Sequence, residues 1–359
     1  MRGGEKCLEA LCEVFPEAEI FTLVHKPRSV SSLIEARPLH TSFLQLMPRS
    51  VERYQYYLPL FPAAIARLRP EGFECIVSVS ASVAKAVPTP EKTLHVCYCN
   101  TPMRYLWDQF DEYFGRGRAG IATRLAMTAL RRPLQHWDLR TAAYPHFFIG
   151  NSDNVRRRIE RIYHRPAEVI YPPVETSRFP LSTRNDGFFL IVSALVPYKR
   201  VDLAVQTVKK TGDRLVIIGE GQEMDRLRAL AGPEVEFLGW RSNDEIRDYY
   251  GACSAVLFPG EEDFGIVPVE AMATGKPVVA FAKGGALETV LETPTLRTGV
   301  LFREQTIESM TEGLRRVRET RFEPLQMRAF ALGFDREVYK ERMKSYVLQK
   351  WEAFRQRGA

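Results

Sequence analysis

The second half of the chain alternates short, almost entirely apolar runs with helical patterns. The apolar runs lie at 187–194, 214–219, 235–238, 255–258, 277–282 and 299–302. The helical patterns lie between them, at 200–210, 222–231, 243–252, 266–274 and 284–291. Strands that are apolar throughout are typical of a parallel sheet covered by helices on both faces. This half therefore predicts a doubly wound α/β domain, in which ligands bind beyond the carboxyl ends of the strands.

The first half follows the same alternation less regularly. Its β-rich runs lie at 19–24, 75–80, 94–99, 146–149 and 168–171, and long helical patterns fill 50–68 and 119–143. The stretch 171–187 is rich in Pro, Ser and Thr and lacks periodicity, so it predicts a linker. A chain of 359 residues has the length of two ordinary domains. We predict one domain over 1–182, a second over 183–333, and a final helix over 334–359 that packs back toward the first.

The composition excludes several classes of protein. The chain is 45% hydrophobic and 26% charged, which is ordinary for a globular protein and unlike a disordered, collagen-like or disulfide-rich chain. No apolar run approaches the roughly 18 residues of a membrane span, and the first residues lack a signal-peptide pattern. We therefore expect a cytoplasmic location. The six cysteines are expected to be reduced thiols, not metal ligands.

The positive charge is concentrated in one segment. Residues 114–165 contain eleven arginines, among them Arg116 and Arg118, against three acidic residues, while the chain as a whole carries +6. A basic face can attract anionic lipid, phosphorylated substrates or nucleic acid, and it can equally be an ordinary solvated helix face. No aromatic-basic module for nucleic acid is present, so we expect no nucleic-acid partner.

The segment 258–277, FPGEEDFGIVPVEAMATGKP, combines a strand end, an acidic loop and a helix start. Pro268 suits the first turn of a helix, where its missing N–H is not needed. Glu262 then lies in the loop at the carboxyl edge of the sheet, and Glu270 lies about one turn into the helix. The free N–H groups near Gly265–Val267 form an anion site. Two carboxylates beside it can hold sugar hydroxyls, although spacing alone does not distinguish this site from a solvated acidic loop.

The chain opens on the pair Gly3-Gly4, followed by a helical pattern over 5–14. In a doubly wound domain a glycine loop before a helix normally follows a strand. No strand pattern precedes this pair. Either the pair is not such a loop, or the first strand is missing from this sequence.

Taken together, these motifs resemble the retaining glycosyltransferases of family GT4, which have the GT-B fold. The resemblance covers nearly the whole chain and is carried by the Glu262-x7-Glu270 pattern and by SALVPYKRVD (193–202), IGEG (218–221), VEFLG (235–239), Asn151-Ser152 and YPPV (171–174). It is closest to bacterial mannosyltransferases that build O-antigen and similar surface polysaccharides, which also carry stretches like TPMRYLW (101–107). It implies two doubly wound, Rossmann-like domains that face a cleft, here with the first N-terminal strand missing.

The resemblance also implies a donor site. Glu262 matches the Glu beside the donor sugar and the reaction centre, Lys199 matches the basic residue at the donor diphosphate, and Glu270 matches the Glu that holds the ribose hydroxyls. Positive charge at Lys199 would stabilise the charge that develops on the departing diphosphate. The full set of positions that match donor-binding residues is Gly3, Gly4, Ser193, Lys199, Arg200, Gly219, Glu262, Phe264, Gly265, Ile266, Val267 and Glu270.

Three positions depart from the family pattern. Many relatives have Arg five residues before the Lys, where this chain has Ala194, and Arg200 is the candidate for the second charge. Relatives often have His at the position of Asn100, whose amide can bind a hydroxyl but cannot act as an acid or base; His95 lies five residues earlier on the same predicted strand. Relatives usually begin with a strand and a short loop before the glycine pair, so we expect the central strand of the first sheet to be absent.

The function implied is that of a retaining hexosyltransferase. It would move a hexose, with mannose from GDP-mannose favoured, to a lipid-linked saccharide in lipopolysaccharide or exopolysaccharide synthesis. Glu262, Lys199 and Asn100 are the catalytic candidates, and Arg104 and Tyr105 are the candidates for acceptor contact. The sequence has no Asp-x-Asp motif, so we expect neither a metal nor another cofactor. A lipid-linked acceptor and a basic first half together predict peripheral docking on the anionic inner face of the cytoplasmic membrane.

Two other functions fit a similar fold. One is a nucleotide-sugar epimerase, which stoichiometric transfer to an added acceptor would exclude. The other is a non-catalytic nucleotide-sugar-binding protein, which Ala194, Asn100 and the missing strand leave open. An RNA-binding function is supported only by the basic segment.

Overall fold

A computed structural model describes residues 3–115 and 120–358. It contains two compact units. The first takes the chain up to Pro173 together with the residues from Tyr339 onward, and the second takes Val174–Val338. The predicted linker over 171–187 therefore lies mostly within the second unit.

The first unit contains two parallel sheets. The strands are β1 (Ile20–Thr22), β2 (Leu39–Thr41), β3 (Cys75–Ser80), β4 (Leu94–Cys99), β5 (Phe147–Gly150) and β6 (Ala167–Val169). In the described residues β1 pairs with β2 alone, and the other four strands form a sheet in the order β3-β4-β5-β6. Every position of β4 is buried. This is why its sequence, apart from His95, is largely apolar on both faces rather than alternating.

Within residues 3–115 and 120–173, the first unit has seven α-helices. They are α1 (Gly3–Val14), α2 (Ser32–Glu35), α3 (Ser50–Arg53), α4 (Phe61–Ile65), α5 (Phe110–Phe114), α6 (Ile121–Thr141) and α7 (Asp153–Tyr163). The prediction of one long helix over 50–68 is wrong, because a 3-10 helix over Tyr54–Leu60 separates α3 from α4. Pro59 lies inside that segment and cannot donate the hydrogen bond that an α-helix needs there.

The second unit is built on one six-stranded parallel sheet. Its strands are β7 (Phe189–Val192), β8 (Leu215–Ile218), β9 (Val235–Gly239), β10 (Ala255–Phe258), β11 (Val278–Phe281) and β12 (Gly299–Phe302). The order across the sheet is β12-β11-β10-β7-β8-β9. The chain thus moves outward from β7 in one direction and then starts again on the other side with β10. Such a switch point opens a crevice beyond the carboxyl ends of the two central strands.

Five α-helices connect these strands, and two more follow the last strand. They are α8 (Val201–Thr211), α9 (Met224–Leu230), α10 (Asn243–Ala252), α11 (Ile266–Ala273), α12 (Ala286–Thr289), α13 (Ile307–Glu319) and α14 (Pro324–Leu332). In α8 the buried positions Val201, Ala204, Val205 and Val208 follow the spacing of one helix face, and they join the core formed with Leu215 and the neighbouring strands.

The last helix, α15 (Arg336–Gly358), buries one face in the core of the first unit. Tyr339, Met343 and Val347 lie at the spacing of one helix face and pack with residues of β4 and β5. The ring of Tyr339 meets the ring of Tyr98 edge to face, with centroids 5.5 Å apart. The residues of α15 from Tyr339 onward therefore belong to the first unit.

Candidate active site

A pocket opens at the carboxyl ends of β7 and β10, at the switch point of the second sheet. It is lined by Ile191, Val192, Ser193, Lys199, Val201, Leu257, Phe258, Pro259, Gly260 and Glu262. The structure thus places three of the predicted donor-site residues, Ser193, Lys199 and Glu262, around one opening. This is the place where a doubly wound sheet binds ligands.

The Lys199 ammonium forms an ion pair with Oε1 of Glu262. Lys199 ends a 3-10 turn that follows β7, and Glu262 lies in the loop that follows β10. The two side chains are only 15% and 22% exposed. Opposite charges at this depth attract more strongly than at an open surface. An anionic ligand that enters the pocket can therefore meet a lysine that is already positioned.

Gly260 allows the two loops to come together, and no sequence motif points to it. A Cβ at this position would lie 2.7 Å from Cα of Lys199 and 2.8 Å from the carbonyl oxygen of Tyr198. Both atoms are backbone, so neither can move away as a side-chain tip would. The only local signal was a glycine two residues after a strand end.

For the sugar donor that the resemblance implies, the Gly260→Ala substitution is expected to raise KM about tenfold, because it pushes the Lys199 turn away from Glu262. The matched control is Gly251→Ala in α10, where an added Cβ meets only Ser182, at 3.4 Å. Steady-state kinetics on both variants test this. A donor KM in Gly260→Ala equal to that of the unmodified chain would show that the close approach does not position Lys199.

The backbone of Glu262 is held by the loop that follows β11. The amide of Gly285 donates a hydrogen bond to the Glu262 carbonyl at 2.9 Å, and Glu262 also forms a short parallel bridge with Gly284. Gly284 has φ +70°, and a Cβ there would collide with the same carbonyl. In the same loop Lys283 pairs with Glu261 at 2.9 Å. Adjacent carboxylates therefore each have a lysine partner from a different loop.

The start of α11 offers backbone N–H groups beside the acidic loop. Gly265, with φ +86° and ψ 94°, precedes the helix. A Cβ added to Gly265 would meet the Phe258 ring. Phe264 is buried, with its ring 5.6 Å from that of Phe334. The Phe264 side chain is therefore not available to a ligand. The first N–H groups of a helix, here from Ile266 and Val267, have no partner within the helix and favour an anion.

Glu270 is buried in α11 and is held by a residue that the sequence analysis missed. The Tyr250 hydroxyl, on α10, donates a hydrogen bond to Oε2 of Glu270 at 2.9 Å. Burial and the neighbouring carboxylate of Glu270 raise the pKa of Tyr250 well above its usual value. Tyr250 therefore stays a hydrogen-bond donor at all physiological pH values. No local pattern could have found it, since the two residues lie on separate helices.

Arg200 and Gly219 have clear positions. The Arg200 side chain reaches Asp202 and Gln305, each at 3.2 Å, and Gln305 in turn donates to the carbonyl of Pro259 at 2.8 Å. The structure thus ties Arg200 to the edge of the pocket, not to Glu262. Gly219 has φ +138°, and a Cβ there would collide with the Ser193 carbonyl. This glycine lets β8 end directly against the Ser193 loop.

The remaining predicted residues belong to the first unit. Asn100 follows β4, and its backbone N–H donates a hydrogen bond to the Ser80 carbonyl at 2.7 Å. Gly3 and Gly4 lie in the first turn of α1, so of the two alternatives for this pair the structure supports the one in which it is not a glycine loop. A Cβ on Gly4 would lie 3.3 Å from Nδ2 of Asn100, a contact that the Asn100 side chain would relieve by moving a few tenths of an ångström.

His95, the nearby histidine, is fully buried within the sheet. Its ring nitrogens lie 2.8 Å from the Ser78 hydroxyl and 2.9 Å from the Thr89 hydroxyl. Burial, together with the charges of His146 and Lys85, lowers the pKa of His95 to about 3. It is a neutral structural residue.

Arg104 and Tyr105 lie in the segment after Asn100. Both are partly buried. The Tyr105 hydroxyl lies 2.8 Å from the Ser82 hydroxyl, and burial raises the pKa of Tyr105. Tyr105 is thus a neutral, oriented side chain at the carboxyl end of β4.

Across residues 3–115 and 120–358, no cluster of three or more His, Cys, Asp or Glu side chains is arranged to hold a metal ion. Within the same residues, no helix is both long enough and apolar enough to cross a membrane.

Comparison with known proteins identifies the second unit. Residues 174–331 match the family model described as Glycosyl transferases group 1, so the chain carries a domain of that family. Over 140 residues the chain is 35% identical to the GDP-mannose-dependent alpha-mannosyltransferase of Mycobacterium tuberculosis (strain CDC 1551 / Oshkosh), covering 36% of each protein. It is 29% identical over 140 residues to the O-antigen chain mannosyltransferase RfbU of Salmonella typhimurium, covering 36% of this chain and 40% of RfbU.

A longer match is with a protein of a different name. Over 299 residues the chain is 25% identical to a glycogen synthase of Pseudomonas syringae pv. tomato, covering 76% of this chain and 54% of that enzyme. The matches with the first three curated relatives span 33%, 30% and 36% of those proteins, about a third of their length. The named relatives therefore include both mannosyltransferases and a glycogen synthase.

Solved structures confirm the predicted GT-B fold. Sucrose-phosphate synthase from Thermosynechococcus elongatus superposes with a TM-score of 0.71 at 19% identity, covering 96% of this chain and 92% of that one. HepE of Anabaena, solved in complex with UDP and glucose, superposes with a TM-score of 0.66 at 17% identity, covering 96% and 95%. These likenesses cover both units.

Proposed function

We propose that this protein is a retaining hexosyltransferase that uses a nucleotide-sugar donor. The observation that carries the proposal is the pocket at the β7–β10 switch point, in which Lys199 and Glu262 are paired beside the start of α11. The group 1 glycosyltransferase domain and the UDP and glucose held by HepE support a nucleotide-sugar ligand.

The residues of the pocket suit the separation of a sugar from a diphosphate. Lys199 and the first N–H groups of α11 supply positive charge and hydrogen bonds to the diphosphate as it departs. Glu262 supplies negative charge beside the sugar carbon, which becomes positive as the bond breaks. Glu270, oriented by Tyr250, accepts hydrogen bonds from the ribose hydroxyls.

For the chemical step we propose attack from the face that the nucleotide leaves. The acceptor oxygen forms a bond to the anomeric carbon while the bond to the diphosphate oxygen breaks, and that phosphate oxygen takes the acceptor proton. The configuration at the anomeric carbon is retained. The protein acts by positioning and by stabilising charge. We propose that no metal takes part, since Lys199 supplies the positive charge, and transfer should therefore persist in excess chelator.

Mannose is the proposed sugar and GDP-mannose the proposed donor. Both mannosyltransferase relatives support this choice, and the matches to glycogen and sucrose-phosphate synthases make glucose the competing sugar. The proposed acceptor is a lipid-linked saccharide of surface polysaccharide synthesis, supported by the relation to RfbU.

Transfer is tested with GDP-mannose and UDP-glucose as donors and with octyl glycosides of mannose, glucose and galactose as acceptors. We expect nucleotide diphosphate to be released in step with a glycosylated product whose new linkage keeps the donor's anomeric configuration, as read by NMR. Conversion of the donor sugar without an acceptor would instead show an epimerase. Donor binding without any turnover would show a non-catalytic binding protein.

We propose the first half of α6 as the part of the chain that docks on an anionic membrane surface. Ile121 is 81% exposed and Leu125 is 63% exposed. From 121 to 137 the sequence has three arginines and no acidic residue. Apolar side chains beside positive charge suit an anionic lipid surface. Arg116 and Arg118, which contributed to the predicted basic face, lie outside the described residues.

The Ile121→Gln/Leu125→Gln variant is expected to bind vesicles containing phosphatidylglycerol about tenfold more weakly, since it removes two exposed apolar contacts. Leu325→Gln in α14, where the leucine is equally accessible, is the matched control. Sedimentation with vesicles measures binding, which should also weaken at high salt. Binding that is unaffected by salt and by lipid charge would rule out this surface.

A further inference from the structure

The segment 101–108 follows β4 at the carboxyl edge of the first sheet and carries Arg104 and Tyr105. A segment in this place is ordinarily a surface loop with few constraints. Here Met103 and Leu106 are fully buried, and the amides of Leu106 and Trp107 both donate to the Met103 carbonyl, at 3.0 Å and 3.1 Å. The segment is therefore folded into a compact turn.

A buried charge holds the middle of this turn. The carboxylate of Asp138, in α6, is completely buried and accepts a hydrogen bond from Nε1 of Trp107 at 2.8 Å. The Tyr163 hydroxyl donates to the same carboxylate at 3.0 Å. The Lys85 ammonium lies 3.0 Å from the other oxygen and also donates to Thr141 at 2.9 Å.

Burying the ion pair of Lys85 and Asp138 costs desolvation free energy, so the pair is weak evidence for a stabilising role. Its groups are nonetheless satisfied by several elements at once, since Lys85, Trp107 and Tyr163 all converge on Asp138. Such a network selects one arrangement of the groups around it. The group that it orients on the turn is the indole of Trp107.

One guanidinium holds the two ends of the turn. Arg158, in α7, donates from Nη1 to the Thr101 hydroxyl at 2.8 Å, and its Nη2 pairs with Asp108 at 2.5 Å. Partial burial would raise the pKa of Asp108, but the charges of Arg158 and Arg161 prevail and lower it. Asp108 is therefore a carboxylate at neutral pH.

Arg157 gives the contrast on the same helix. Its side chain is 72% exposed and pairs with Asp153, one turn earlier, whereas the Arg158 side chain is 12% exposed. The run of arginines that the sequence presents as one basic face is thus divided. Arg157 faces solvent, and Arg158 is used inside the unit.

Two more contacts come from α6. The carbonyl of Leu106 accepts hydrogen bonds from Nε of Arg131 at 3.0 Å and from Nε2 of Gln135 at 2.8 Å. The turn is thus fixed at its ends, in its middle and along its backbone, by side chains from two helices.

We propose that Arg158 and Asp138 are positioning residues, which hold the segment 101–108 in the one conformation that receives the acceptor sugar. The proposal rests on the proposed function, because it assigns the acceptor to the segment with Arg104 and Tyr105. Arg158 acts through Thr101 and Asp108, and Asp138 acts through Trp107. Neither residue touches the reacting atoms.

Two pairs of variants test the proposal. Arg158→Ala is compared with Arg157→Ala, and Trp107→Phe is compared with Trp351→Phe, the same substitution in α15 at a tryptophan that packs against a different core cluster of the first unit. We expect Arg158→Ala and Trp107→Phe to raise the acceptor KM about tenfold while the donor KM stays within about twofold. The acceptor is the octyl glycoside that the unmodified chain glycosylates. The two control variants should leave both constants unchanged.

Hydrogen exchange provides a readout that does not depend on activity. We expect the amides of Leu106 and Trp107 to exchange about tenfold faster in Arg158→Ala and in Trp107→Phe and to keep their rates in the controls. Unchanged exchange would overturn the proposal, as would an equal rise in donor and acceptor KM.

If the proposed function is wrong, the result will differ from both of these outcomes. The unmodified chain will then transfer no sugar from either donor. The part of the proposal that assigns the acceptor would then be overturned, while the exchange contrast would still decide whether the two residues position the segment.

Discussion

Lys199→Ala is expected to lower kcat/KM for the sugar donor by about 100- to 1000-fold, the loss typical of removing one group that stabilises charge in the transition state. Lys199 lines the pocket and is positioned against Glu262. No other lysine lines this pocket in the part of the chain that the structure describes. Its removal leaves the departing diphosphate without that charge. Steady-state kinetics with the donor varied provide the measurement.

Lys283→Ala is the matched control for Lys199→Ala. Lys283 also pairs with a carboxylate of the same acidic loop, Glu261, at 2.9 Å, but its side chain is 61% exposed and does not line the pocket. Its removal should change kcat/KM by no more than about threefold, as befits a solvent-exposed pair. Equal losses in the two variants would mean that general positive charge on the loop matters, and not the position of Lys199.

Glu262→Gln is expected to lower kcat about 100-fold without raising the donor KM. The glutamine side-chain amide keeps the shape of the glutamate side chain. The backbone stays in place because the backbone N–H of Gly285 donates a hydrogen bond to the Glu262 carbonyl. What is lost is the negative charge beside a sugar that becomes positive in the transition state. The same charge repels the donor diphosphate in the ground state, so its removal should not weaken donor binding.

The control for this variant is Glu261→Gln, which changes the adjacent carboxylate, paired with Lys283. It should retain nearly full kcat. The kinetic pattern is the decisive feature. A rise in donor KM with kcat unchanged in Glu262→Gln would show that Glu262 only binds the donor and does not act on the transition state.

The strands of the second unit could be predicted because burial on both faces leaves a plain sequence signal. β10, Ala255–Phe258, is buried at every position and coincides with the predicted run 255–258. The segment 50–68 shows the opposite case. Its apolar residues suggested one helix, but Pro59 interrupts the hydrogen bonding and the helix is divided. The spacing of apolar residues predicts which side chains are buried. It does not predict whether the backbone between them can form a continuous helix.

The candidate site was predictable in part. Lys199 and Glu262 each follow a strand, and the parallel pairing of β7 with β10 brings those two ends together. Tyr250 was not predictable, because its hydrogen bond to Glu270 joins two separate helices and leaves no local sequence pattern. Gly260 was not predictable either, since its role depends on the distance to a turn that comes about sixty residues earlier. Contacts of this kind depend on how the helices and loops pack on the sheet, so no short stretch of sequence predicts them.

Thermal unfolding tests the central claim, that the β7–β10 pocket binds a nucleotide-sugar donor, most directly. The unmodified chain, Lys199→Ala and Lys283→Ala would each be melted with and without GDP, GDP-mannose, UDP and UDP-glucose. A ligand at 100 times its Kd adds about 2.7 kcal/mol to the stability of the state that binds it. The account predicts a rise in Tm with the GDP compounds for the unmodified chain and for Lys283→Ala, and little or none for Lys199→Ala. A rise confined to the UDP compounds would keep the site and change the donor. No rise with any of the four ligands, or an equal rise in Lys199→Ala, would contradict the account.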